Sequence, residues 1–293
     1  MTQQQVKALR RRYSRHEWSP VSTGCSGALV YRLGGPSDLY VKVARVTAHL
    51  DTGYHLAAES DRLGWLAKAG IPAPEVVEYD SSDDCAWLVT TAVPGRSAAE
   101  QWPADQRTNV IDALADFTLT LHGLPIDDCP YDRSLVVTVP AAEHAARQHL
   151  VDLERLDPAY EGWTPQQLLK DAYATVPTFE DLVVCHGDLC LPNVLLDPDT
   201  LAVTGLIDVG RLGRADRYAD LALATRSIAS TQNPQYGVLH ADRYLARLAW
   251  TPSTPTESPS TGSSTSSSDR TTPHPSSMRR AARPIPLRLA KCA

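Results

Sequence analysis

The chain has 293 residues, of which 43% are hydrophobic, with 28 Lys and Arg against 34 Asp and Glu for a net charge of −6. It contains no run of about 18 apolar residues, which excludes a membrane-spanning helix, and the acidic balance argues against nucleic acid as a partner. The six cysteines (25, 85, 129, 185, 190 and 292) include no CxxC pair and are expected as free, mostly buried thiols. The N-terminus, MTQQQVKALRRRYSRHEW, is basic but lacks a following apolar segment, so it is not a secretory signal and a cytoplasmic protein is expected. From Val21 to Leu33 a small, polar turn containing Gly24, Ser26 and Gly27 enters an alternating strand. Backbone amides in such a turn can approach phosphate oxygens. The turn is neither a GxGxxG nor a Walker A loop, and by itself it reads equally as an ordinary β-turn.

The next strand, Leu39-Tyr40-Val41-Lys42-Val43, puts Tyr40 and Lys42 on one face. Only five lysines occur against 23 arginines, so a lysine inside an apolar strand is conspicuous. It reads either as an edge charge facing water or as a contact to nucleotide phosphates. Glu59 follows 17 residues later within a helical pattern over 56–66. Asp61 on the same helix points roughly 200° away at about 100° per residue. Ile71-Pro72-Ala73-Pro74 breaks that helix, strands are expected over 76–79 and 86–90, and Thr91-Ala92-Val93-Pro94-Gly95 reads as a hinge. Beyond it, Val110, Leu114, Phe117 and Leu121 recur at helical spacing, with Gly123 and Pro125 closing the segment. Further helices are expected over 141–153, over 166–174, and from 216 through 229.

The densest chemistry lies over 183–210, VVCHGDLCLPNVLLDPDTLAVTGLIDVG. His186-Gly187-Asp188 is followed by Asn193 five residues on and by Asp208 fifteen residues beyond that. The Asp-to-Asn spacing repeats that of the protein-kinase catalytic loop, and Asp208 ends an apolar run where a second metal-binding aspartate would stand. One carboxylate can accept a hydroxyl proton while an amide oxygen and a second carboxylate hold magnesium. The bland alternative makes Asp188, Asn193 and Asp208 turn and loop residues. His186 reads as a buried residue that shapes the loop.

The motif resembles the aminoglycoside phosphotransferases, most closely the 3′-phosphotransferase branch of antibiotic-producing bacteria. The resemblance implies an α+β, bilobal protein-kinase-like fold, with a small β-rich N-lobe (1–90), a hinge (91–95) and a mostly helical C-lobe (96–250). It implies ATP-dependent phosphorylation of the 3′-hydroxyl of aminoglycosides of the kanamycin, neomycin and ribostamycin class, with ATP and Mg2+, by a monomer or weak dimer. Asp188 would be the catalytic base, Asn193 and Asp208 the magnesium ligands, and Lys42, paired with Glu59, the phosphate contact. Ser26 would lie in the phosphate-covering turn. Tyr40 would stack on adenine, a position that plain packing explains as well, while Thr90 and Ala92 would supply backbone hydrogen bonds to the base. Arg211 and Arg226 match arginines near the sugar pocket. Asp152, Glu154, Asp157 and Glu161 are candidates for contacts to the substrate's ammonium groups, or simply a solvated acidic loop. A kinase for another aminoglycoside position or for a choline-like amine shares much of this motif. A non-catalytic nucleotide-binding pseudokinase is the alternative from a different class, and intact Lys42, Glu59, Asp188, Asn193 and Asp208 speak against it.

Two departures from the family pattern stand out. After Arg226 the chain reads Ser227-Ile228-Ala229-Ser230-Thr231 rather than an acidic stretch. Residues 251–293 form a Ser/Thr/Pro-rich and then basic tail with six basic and two acidic side chains, leaving −10 on residues 1–250. That tail reads either as a changed reading frame or as a disordered extension. The acidic body suits a polycationic substrate.

Overall fold

In the computed structural model the described residues are 2–21, 27–156 and 158–248, so the tail over 251–293 lies outside them. The chain opens with helix α1 (Thr2–Arg12), an element not expected from its basic sequence. Its buried apolar side chains are Val6 and Leu9, one turn apart. Then follow strands β1 (Glu17–Val21), β2 (Leu29–Gly34) and β3 (Leu39–Arg45), helix α2 (Leu56–Lys68), and strands β4 (Val76–Ser81) and β5 (Cys85–Thr91). The five strands form one antiparallel sheet in the order β1-β2-β3-β5-β4.

The two-residue period of β3 decides what each face of that sheet does. Leu39, Val41 and Val43 point to one side and are buried with Val6, Leu9, Leu33, Trp87 and Val89. Tyr40 and Lys42 point to the other, half-buried, in register with Thr90 and Leu88. Helix α2 packs on that second side through Leu63 and Leu66 against Ala86 and Leu88. Glu78 on β4 ties α1 to the sheet, accepting from Arg12, from the Tyr13 hydroxyl and from Trp87 Nε1.

The second lobe begins with β6 (Arg96–Ser97) and continues through α3 (Arg107–His122), α4 (Leu135–Arg147), α5 (Pro165–Thr175), β7 (Leu182–Cys185), β8 (Val194–Leu196), β9 (Val203–Leu206), β10 (Gly213–Asp216), α6 (Tyr218–Ile228) and α7 (Val238–Arg247). The antiparallel pair β7–β10 and the small sheet β6-β8-β9 bracket the segment 186–193. Leu189 and Leu191 in that segment, both fully buried, are packed into a core with Trp102, Ile111, Leu114, Leu121, Leu221 and Tyr244. The loop that carries Asp188 is therefore held by its own apolar residues, each buried side chain contributing roughly 1.5–3 kcal/mol. Helix α7 closes the lobe against α3. Arg243 meets Asp112 with two bonds of 2.6 Å, and Arg247 meets Asp116 with bonds of 2.6 and 2.7 Å.

Helix α4 differs from the sequence expectation in its bounds. In place of 141–153, α4 starts at Leu135, carries Pro140 inside it and ends at Arg147. His149 then takes a left-handed φ of 54°, and the Leu150 N–H returns to the Ala145 carbonyl at 2.9 Å. That is the geometry of a helix C-terminus usually made with glycine. The fold is the expected α+β arrangement of a β-rich lobe followed by a mostly helical one. No described helix is long and apolar enough to cross a membrane. Cys85, Cys129, Cys185 and Cys190 are buried free thiols, as expected, whereas Cys25 and Cys292 lie outside the described residues.

Candidate active site

Strand β7 is buried at Val183, Val184 and Cys185 and delivers the chain to His186. Gly187 then turns with φ +73°, and a Cβ there would lie 2.4 Å from the Arg211 carbonyl oxygen, so no other residue fits without moving that strand connection. His186 is fully buried and joins two loops. Its Nδ1 accepts the Asp188 N–H at 3.1 Å, which leaves the proton on Nε2 for donation to the Ile207 carbonyl at 3.1 Å. Asp220, buried on α6, accepts the N–H groups of His186 and Gly187 at 2.8 and 2.9 Å and the Nε2 of His122 at 3.1 Å. Burial works to raise the Asp220 carboxyl pKa, but His122 and His186 outweigh it and hold the group below its ordinary range.

The Asp188 side chain is 1% exposed, so its charge depends on donors from the protein. Oδ2 takes the Arg211 Nη1 at 3.3 Å, and the Cys190 thiol lies 3.0 Å from Oδ1. Asn193 donates its Nδ2 to the Asp188 main-chain oxygen at 2.9 Å. That bond assigns the amide nitrogen and turns Oδ1 into the atom with metal-binding capacity. The Ile207 N–H bonds the Asn193 carbonyl at 3.0 Å and so ties this loop to the one that bears Asp208.

On the small-lobe side, Lys42 Nζ meets Glu59 Oε1 at 2.6 Å and Asp208 Oδ1 at 3.4 Å. Burial disfavours the ammonium, but Asp208 and Glu59 outweigh it and raise the Lys42 pKa above its usual value. Asp208 adopts a left-handed φ of 60° while its carboxylate stays 46% exposed. For a residue with a Cβ that conformation costs of order 1–3 kcal/mol, and it persists where the surroundings force it. Tyr40 stands beside Thr90 on the same face as Lys42. The Ala92 N–H donates to the Asp38 carbonyl at 2.9 Å, so this hinge donor is engaged within the small lobe.

The residues expected to meet the phosphates and metal thus come together: Lys42, Glu59, Asp188, Asn193 and Asp208. Arg211 joins them, bonded to Asp188 and to Asp51. The rest of the expected set is more dispersed. Arg226 is half-buried on α6, Asp152 caps a short turn by accepting the Glu154 N–H at 3.1 Å, and Glu154 and Glu161 are exposed. Ser26 and Asp157 lie outside the described residues. Sequence reasoning missed Asp51, Arg133, Cys190 and Asp220. A signal existed for Asp220, an acid within the apolar stretch Tyr218-Ala219-Asp220-Leu221-Ala222-Leu223. Ser227, read as a departure from the family, accepts the Leu191 N–H at 3.0 Å and supports the loop from below.

Residues 17–254 match the model of the Phosphotransferase enzyme family. An aminoglycoside 3′-phosphotransferase of Streptomyces ribosidificus is 52% identical over 240 residues, covering 82% of this chain and 90% of that protein. The solved structure of an aminoglycoside-3′-phosphotransferase of type VIII superposes with a TM-score of 0.78 at 50% identity, over 84% of this chain and 90% of that one. An aminoglycoside phosphotransferase from Streptomyces rimosus, solved in complex with ADP and streptomycin, is 32% identical with a TM-score of 0.65, over 85% of this chain and 98% of that one. The matched stretch runs from β1 past α7 and so includes both lobes and every side chain that meets around Lys42 and Asp188: the chain belongs to the phosphotransferase enzyme family.

Proposed function

We propose that the chain transfers the terminal phosphoryl group of ATP to the 3′-hydroxyl of aminoglycosides of the kanamycin, neomycin and ribostamycin class, the modification by which such antibiotics are inactivated. The observation that carries this reading is that a buried, donor-held carboxylate, Asp188, is tied through Asn193 to the loop bearing Asp208, which with Glu59 holds Lys42. The names of the Streptomyces ribosidificus and type VIII proteins support the 3′ position. The ADP complex of the Streptomyces rimosus protein supports nucleotide as donor.

In this reading Asp188 orients the acceptor hydroxyl and takes its proton as the acceptor oxygen bonds to phosphorus and the bond to the departing ADP breaks. Lys42 contacts the phosphates, kept charged by Glu59 and Asp208. The donor set fits magnesium. Asn193 Oδ1 and the exposed carboxylate of Asp208 are hard oxygens, the donors that magnesium prefers. Bound magnesium supplies positive charge against the phosphate oxygens. Tyr40 and Thr90 form the adenine face, with Ala92 offering its carbonyl and Ser26 belonging to the phosphate turn. Arg226 and the carboxylates of Asp152, Glu154, Asp157 and Glu161 are assigned to the aminoglycoside side, where an acidic body suits ammonium groups. Arg211 acts on that side through Asp188.

The test is ADP formation with kanamycin, neomycin and ribostamycin, followed by mass and NMR analysis of the products. Aminoglycoside-dependent turnover with phosphate on the 3′ oxygen is expected. ATP turnover indifferent to the aminoglycoside would overturn the proposal, and phosphate on another oxygen would correct its regiochemistry.

A further inference from the structure

Between β3 and α2 the chain makes a short strap, with Asp51 capping a single turn over Thr52–Tyr54. The strap belongs to the small lobe but sits on the large one. Thr52 Oγ1 donates to the Gly210 carbonyl at 2.8 Å, two residues after Asp208. Asp51 lies between two arginines of the large lobe. Its Oδ2 takes the Arg211 Nε at 2.8 Å, and its Oδ1 takes the Arg133 Nη2 at 3.2 Å. Arg211 then reaches Asp188 Oδ2 with Nη1 at 3.3 Å. The tighter of its two carboxylate contacts is the one to Asp51. All three side chains of this relay are at least three-quarters shielded from water, at 22%, 17% and 1% exposure. Gly53 makes room for it, since a Cβ there would come 2.5 Å from Arg211 Cζ.

We propose that Asp51 is a positioning residue for phosphoryl transfer: it fixes the Arg211 guanidinium, which fixes Asp188 Oδ2, so the base is aimed only when the strap is seated on the large lobe. The inference rests on Asp188 being the base. A guanidinium shared by two carboxylates is held at a set distance from each, because its planar fork presents separate N–H groups to both. Without the Asp51 charge, Arg211 has Asp188 as the near carboxylate and closes on it. It then competes with the acceptor hydroxyl for the oxygen that must receive the proton. The relay also couples the lobes, because the segment that leads into the helix bearing Glu59 is the one that sets Arg211.

The experiment is steady-state kinetics with ATP and kanamycin on Asp51→Asn, Arg211→Gln, the double variant and Asp188→Asn, each checked by thermal melting. Asparagine keeps the acceptor for the Gly53 N–H and so retains the turn. Asp51→Asn is expected to lower kcat by roughly 10- to 100-fold, while the KM for ATP moves by less than about threefold. The double variant should be no slower than Arg211→Gln alone, because Asp51 acts through that arginine. Asp51→Glu should recover part of the rate, which a loss of mere bulk would not give. Should Asp51→Asn fail to fold, Gly53→Ala displaces the guanidinium by contact and carries the same expected loss of kcat. Wild-type kcat in the folded Asp51 or Gly53 variant, with Asp188→Asn inactive, overturns the relay alone. Losses that multiply in the double variant do so as well. An active Asp188→Asn variant overturns the assignment of the base, and the relay with it.

Discussion

The Asp188 carboxylate is buried, with the Arg211 guanidinium on Oδ2 and the Cys190 thiol beside Oδ1. Replacing it with asparagine keeps the shape and removes the proposed proton acceptor. The expected result is a kcat lower by about 10²- to 10⁴-fold, with a melting temperature close to wild type. Full activity in the folded variant would sink the mechanism. Asp208→Ala acts on the other substrate: the exposed carboxylate near Lys42 is lost, so magnesium-dependent ATP binding should disappear by calorimetry while aminoglycoside binding persists. Asp51 gives a pH prediction. Burial pushes its carboxyl pKa up, but Arg211 and Arg133 outweigh that and hold it well below the ordinary value. A depressed folded-state pKa stabilises the protein above the unfolded value of about 3.9 and ceases to do so as the pH falls through the folded one. The stability gap between wild type and Asp51→Asn should therefore be full near pH 6 and shrink on acidification below about pH 4. A gap that widens in acid would show that the arginines do not hold the group ionised.

At the scale of elements, legibility followed locality. The segment 183–210 was readable because its candidate residues sit at fixed short spacings on a strand, a turn and a second strand. Lys42 was readable because β3 alternates cleanly. Helix α4 departs from the expected bounds at both ends: it begins after Ser134 and carries Pro140 within it, and the stop at His149 uses a left-handed residue that is not glycine. Helix α1 offered only Val6 and Leu9 as a periodic signal. The seam between α3 and α7 yields the prediction at this scale. Tyr244 is fully buried, and its hydroxyl lies 3.0 Å from Thr118 Oγ1. Tyr244→Phe should cost about 1 kcal/mol, and Tyr244→Ala about 3–5 kcal/mol through the cavity it leaves. Urea denaturation distinguishes them, and equal losses would show that the ring itself packs nothing.

For the whole molecule, the contacts that sequence could not supply are those between lobes. Asp51 and Arg211 stand 160 positions apart, and no periodicity connects them. The charge balance, by contrast, was visible at once. With −10 on residues 1–250, the body attracts a polycation over a distance that salt shortens from about 10 Å at 0.1 M to about 3 Å at 1 M. The KM for kanamycin should therefore rise several-fold across that range while the KM for ATP changes less. Parallel shifts would remove the electrostatic contribution. The fastening of α7 has a practical meaning for spectroscopy. Two bidentate arginine–aspartate pairs hold its last two turns to α3, so the helix is anchored as far as Arg247. A fluorophore placed there would take the orientation of that lobe without fraying of its own. Paired with a second dye at exposed Lys7 on α1, it would turn the separation of the two lobes into an energy-transfer signal that can be followed turnover by turnover.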